Sequence, residues 1–109
     1  MPKPFVTIEM DRPRKVRFSM NAICEFELAS GKPLTAMVDT ELGMRDVRAL
    51  LYAGLKDADR LITPEKAGTI MDDVTERDGQ EGLQQLITAL TLALTGSISG
   101  GEAPKETGP

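Results

Sequence analysis

Histidine and tryptophan are absent from this 109-residue chain, and cysteine occurs once. Without histidine the chain lacks both the commonest general base and the commonest metal ligand. The single thiol, Cys24, excludes a thiolate zinc site and an intrachain disulfide, in keeping with a reducing compartment. Aromatic residues are scarce, one tyrosine and three phenylalanines, so Leu, Ile, Val, Met and Ala must fill the interior. No apolar run approaches the ~18 residues of a membrane helix, and no charged-then-apolar leader opens the chain. These absences predict a cytoplasmic protein with no membrane partner.

Motifs of catalysis and cofactor binding are missing as well. Asp72 to Gly79 has the acids and glycine of a calcium loop, but that register puts Val74 and Gln85 where carboxylates are required. Asp72 and Glu76, four apart, read as a solvated helix face. Gly96, Gly100 and Gly101 have no strand before them and no helix after, so they form no phosphate loop. The expectation is a non-enzymatic protein with no metal and no cofactor.

The net charge of −4 is unevenly spread. Residues 1–18 carry five basic and two acidic groups, a net of +3, which leaves −7 on residues 19–109. Such segregation favours contact between copies or with an acidic partner, unless the charges are simply solvated on a hairpin. The basic segment lacks the interleaved aromatics of a nucleic-acid surface, so no nucleic acid is expected.

Positively, the chain reads as a single α+β domain over residues 1–95, an N-terminal β-hairpin followed by a small bundle of about four helices, with a disordered tail over 96–109. Val6, Ile8 and Met10 alternate with polar residues, as do Val16, Phe18 and Met20, which predicts two strands closed through Asp11–Arg14. Opposed residues share a face, so Met10 should pair with Val16, Ile8 with Phe18, Val6 with Met20, and Glu9 with Arg17 on the outer side, around an odd-numbered loop. Helix one should start near Ser19 or Asn21 and end at Ser30, where Gly31 and Pro33 stop it, with Ala22, Ile23, Phe26 and Ala29 inward and Cys24 a packed or half-buried structural thiol beside them. Lys32–Leu42 is irregular, with one short turn near Leu34–Val38.

Two helices then flank a capped turn. Val47, Leu50, Leu51, Gly54 and Leu55 mark the inner stripe of the first, with Arg45, Arg48 and Tyr52 on its outward side. Thr63-Pro64-Glu65 supplies an N-cap hydroxyl, a proline where no N–H is needed and an acid near the helix dipole. Ala67, Ile70, Met71 and Val74 continue as the inner face of the second. Gly79 should break the chain before a fourth helix from about Gln80 to Thr95, with Leu83, Leu86, Ile87, Leu90 and Leu94 on one side. After Gly96 too little apolar surface remains for order.

The succession of hairpin, NAICEFE at Asn21–Glu27, DVRALLYAGL at Asp46–Leu55, LITPEKAG at Leu61–Gly68 and a last apolar helix resembles the small tail assembly chaperones of long-tailed phages, prophages and gene transfer agents. The likeness covers roughly residues 14–95, and the Asp46–Leu55 and Thr63–Gly68 blocks are its most specific part. The irregular Lys32–Leu42 segment and the strong hairpin depart from it. The resemblance implies a non-catalytic protein of the bacterial host cytoplasm that binds the tape measure protein and tail tube subunits while the tail is assembled. Many such chaperones are also made in a frameshift-extended form. It transfers no site residue by residue; Arg45, Arg48 and Tyr52 are the expected contact residues because Arg and Tyr most often anchor interfaces. Self-association is left open. A small regulatory or antitoxin-like interaction module would share this build and is the alternative reading.

Overall fold

Two short strands open the fold, β1 (Val6–Glu9) and β2 (Pro13–Val16), and three helices follow: α1 (Met20–Ser30), α2 (Met44–Lys56) and α3 (Pro64–Ile98), with one 3₁₀ turn at Leu34–Met37. This is a computed structural model, and it describes residues 4–37 and 42–98.

The strands are antiparallel and pair Val6 with Val16, Thr7 with Lys15, Ile8 with Arg14 and Glu9 with Pro13. The expected register is therefore corrected by four residues. Ile8 does not face Phe18, nor Glu9 Arg17, because Asp11 closes a tighter, three-residue loop. Its carboxylate accepts the Arg12 N–H at 2.9 Å and both Nε and Nη2 of Arg14 at 2.7 and 2.8 Å. A shift of four preserves the side-chain alternation, so Ile8, Met10, Val16 and Phe18 all point inward and are buried. Beyond Val16 the chain leaves the ladder, and the Arg17 N–H donates instead to the Gly54 carbonyl at 2.9 Å. That carbonyl belongs to the last turn of α2, where no intrahelical donor is available.

Ser19 caps α1, its hydroxyl accepting the Ala22 N–H at 3.2 Å. Gly31 ends the helix at φ 77°, a left-handed conformation in which its N–H reaches the Glu27 carbonyl at 2.9 Å. Ala22, Ile23 and Phe26 face the core, with Ser30 buried beside them. Cys24 is exposed rather than packed, since it lies about a quarter turn or more from every one of those inward residues.

A single buried face was expected for α2, and this too is corrected. β2, α1 and α3 all pack against it, so Asp46, Val47 and every residue from Ala49 to Leu55 are buried. Gly54 lies under the Phe18 ring: a Cβ there would fall 2.7 Å from Phe18 Cζ.

Thr63 caps α3 as its position before Pro64 predicts, accepting the Lys66 N–H at 3.1 Å. Ala67, Ile70, Val74, Leu86, Leu90 and Leu94 are the buried hydrophobic residues along it. The count of about four helices is corrected to three, because the segment after Gly79 follows on within α3, although the expected interruption at Gly79 is present as a kink between two helical stretches. Gly79 still departs from helical geometry, at φ 73° and ψ −164°. A straight helix of 35 residues would span about 52 Å. The longest dimension of the fold is 39 Å, so α3 must bend, and Gly79 is where its backbone allows it. Just before the bend, Arg77 donates to the Met10 and Asp11 carbonyls, fastening α3 to the hairpin loop. α3 also runs through Gly96–Ile98, past the expected domain end at residue 95. The remainder of the expected disordered tail, 99–109, lies outside the described residues, as do 38–41 of the irregular segment.

Candidate partner-binding surface

The first turns of α2 carry two of the three expected contact residues. Asp46 sets where this helix begins: its buried carboxylate accepts the Gly43 N–H at 3.2 Å and the Lys32 ammonium at 3.0 Å. The Lys32 hydrogen bond, aided by Gly43 and opposed by burial, holds the Asp46 carboxyl below the usual carboxylate range. With the helix start fixed, Met44, Arg45 and Arg48 project to solvent on contiguous positions. Met44 is 52% exposed. Neither arginine has an ion-pair partner among the described residues. The stem of Arg48 lies over Gly68 of α3, where a Cβ would stand 3.4 Å from Arg48 Cδ.

The outward placement expected for Tyr52 is corrected. It shares the Arg45–Arg48 side of the helical wheel, but α1 covers that side one turn further on, and only 9% of the residue is exposed. Its hydroxyl donates to Glu25 Oε1 at 3.3 Å and accepts from the Lys56 ammonium at 3.0 Å. The bond to Tyr52 raises Lys56 above its ordinary range. Tyr52 thus joins two helices, with both hydrogen-bonding capacities of its hydroxyl occupied.

Beside this contact a shallow cleft of about 290 Å³ is lined by Asn21, Ala22, Glu25, Lys56, Asp57 and Arg60. Asp57 is taken up within the fold, accepting from Arg17 Nε at 3.1 Å and from the Ser19 hydroxyl at 2.8 Å. Arg60 is exposed and has no ion-pair partner among the described residues. The described residues include no cluster of three groups able to hold a metal ion.

Along the rim of the cleft runs the outer side of α1. Met20 is 67% and Leu28 80% exposed, with the exposed Cys24 midway between them. This apolar line was not read from the sequence, although its signal, three residues at spacings of four, is visible there. Once Ala22, Ile23 and Phe26 are taken as the inner face, Met20, Cys24 and Leu28 can only be the opposite one.

No helix among the described residues is long and apolar enough to cross a membrane. No family model, curated protein sequence or solved structure matches the chain.

Proposed function

We propose that the protein is a non-catalytic tail assembly chaperone that binds the tape measure protein and tail tube subunits while a phage-type tail is assembled. The exposed surface of Met44, Arg45 and Arg48, charged yet without ion-pair partners among the described residues, is the observation that carries a protein-binding reading. Arginine and methionine are both enriched at protein interfaces, and arginine is among the residues that most often anchor them. The choice of tail components as partners rests on the resemblance of the Asp46–Leu55 and Thr63–Gly68 blocks. Arg45 and Arg48 remain the contact residues of this proposal, while Tyr52 acts by holding α1 against α2.

Co-purification from cells expressing the tail genes tests it. The tagged protein should retain the tape measure protein, and the double variant Arg45→Glu, Arg48→Glu should lose it while keeping an unchanged melting curve. Failure of the unmodified protein to retain any tail component refutes the chaperone reading. Retention by the double variant moves the interface off α2.

A further inference from the structure

We propose that the corner of α3 at Gly79 is a hinge, and that on straightening it lets two copies of this chain exchange the stretch beyond it, residues 80–98. Two glycines serve the bend. Gly79 holds φ 73° and ψ −164°, a combination essentially confined to glycine. Gly82, less than a turn further on, is buried, and a Cβ there would collide with the Asp78 Cβ. In a straight helix residues four apart keep their Cβ atoms about 5–6 Å from each other, so that collision is a product of the corner. A straight α3 needs neither glycine, and alanine at both positions would favour it.

The stretch beyond the hinge is a detachable part of the core. It supplies Leu86, Leu90 and Leu94, while every other buried member of the core cluster lies before Gly79. Arg77, on the near side of the hinge, is bonded to the Met10 and Asp11 carbonyls, which keeps the first half of α3 on the hairpin when the second half swings out. The open form bares the three leucines and the surface they covered.

The closed monomer shows what fits that vacated surface: residues 80–98 of this same sequence. A straight α3, about 52 Å long, carries its own copy of them away from the core. A second chain in the same open form supplies its copy and receives the other in return, a reciprocal exchange that closes at two chains. No new complementary patch is required, because each contact of the closed form is remade between chains.

Sedimentation velocity and spin-label distances together read the exchange. The double variant Gly79→Ala, Gly82→Ala should sediment as a dimer, at twice the 11.8 kDa of the chain, and each single substitution should tighten association about tenfold or more. In dilute solution, where no second copy is at hand, Gly79→Ala only strains the closed monomer. Labels at Glu65→Cys and Gly96→Cys, with Cys24→Ser removing the exposed native thiol, should stand about 46 Å apart within one chain of the dimer, the rise of a straight helix between them. In the bent monomer, whose longest dimension is 39 Å, they should be closer. The unmodified protein, refolded from urea at high concentration, should yield a minor dimer that reverts to monomer on dilution, and this arm decides the matter if the double variant does not fold. A double variant that folds as a monomer, a dimer that keeps the shorter distance, growth beyond two chains, or an unmodified protein that never yields dimer would each overturn the proposal.

Discussion

Replacing Gly54 with alanine sets two effects of known size against each other. In a helix interior alanine is favoured over glycine by about 0.5–1 kcal/mol. The added methyl, however, would lie 2.7, 3.1 and 3.3 Å from three atoms of the Phe18 ring, where carbon atoms normally rest ~3.5–4.0 Å apart. The ring must retreat by nearly 1 Å to restore normal contact, and it has little room, being 1% exposed with the neighbouring Arg17 N–H bonded to the Gly54 carbonyl at 2.9 Å. Overpacking of this kind costs about 1–3 kcal/mol. The balance is a net destabilisation of about 0–2.5 kcal/mol, the overpacking outweighing the helix preference. Urea unfolding of Gly54→Ala, Phe18→Leu and the double variant provides the assay. In the Phe18→Leu background, with the ring gone, Gly54→Ala should be neutral or stabilising, so the two changes couple by about 1 kcal/mol or more. A Gly54→Ala protein more stable than the original, or strictly additive effects, would refute the close-packing argument.

Other substitutions probe the remaining contacts. At Gly79, φ is 73° and a Cβ would meet nothing within 4 Å, so Gly79→Ala should lose roughly 1–3 kcal/mol from backbone strain alone, and an unchanged urea midpoint would contradict the bend. Tyr52→Phe removes a hydroxyl bonded to Glu25 and Lys56 and should cost about 0.5–1.5 kcal/mol, whereas Tyr52→Ala should cost ~3–5 kcal/mol by emptying the site; similar losses from both would argue against a packed ring. The Asp46 carboxyl is held below its ordinary range, chiefly by Lys32, so its stabilisation is present above the unfolded value of about 4 and fades as pH falls through the lower folded value. The gap in melting temperature between the original protein and Asp46→Asn should therefore be widest near neutrality and close in acid; a gap independent of pH would rule out the ion pair.

The parts of the fold legible in the sequence are those decided by neighbours along the chain. Ser19, Gly31 and Thr63-Pro64 act through bonds to residues three or four away, and the alternation around Ile8, Met10, Val16 and Phe18 fixes a face whatever the register. Register itself escaped because alternation determines it only to within an even number, and the deciding contact, the Arg14 fork on Asp11, is a side-chain detail. The burial of Tyr52 escaped for a different reason. Its own helix places it correctly beside Arg45 and Arg48, but only the position of α1 decides which end of that side is covered. The same holds for α2 as a whole: a helix enclosed by three neighbours shows more apolar positions than one stripe, yet the polar Asp46 and the amphipathic Tyr52 mask that pattern until their partners are known.

Charge shows how assembly changes what a segment can offer a partner. Along the sequence, residues 1–18 stand out as the basic region, and contact between copies would be placed there. In the fold, Arg14 is spent on Asp11, and Arg17 on Asp57 and the Phe5 ring, whose centroid lies 4.3 Å from the guanidinium carbon. These pairs close the hairpin and tie it to the end of α2, so they act as internal fastenings. Arg45, Arg48 and Arg60, scattered within the acidic remainder of the sequence, are instead exposed and have no ion-pair partner among the described residues. An exposed arginine pays little desolvation until a partner arrives and can then form bidentate bonds to a carboxylate. The exposed arginines without an ion-pair partner among the described residues therefore lie not in the segment with the highest charge density but toward the two ends of α2, and Arg45 and Arg48 at its start are the ones proposed above to meet a partner.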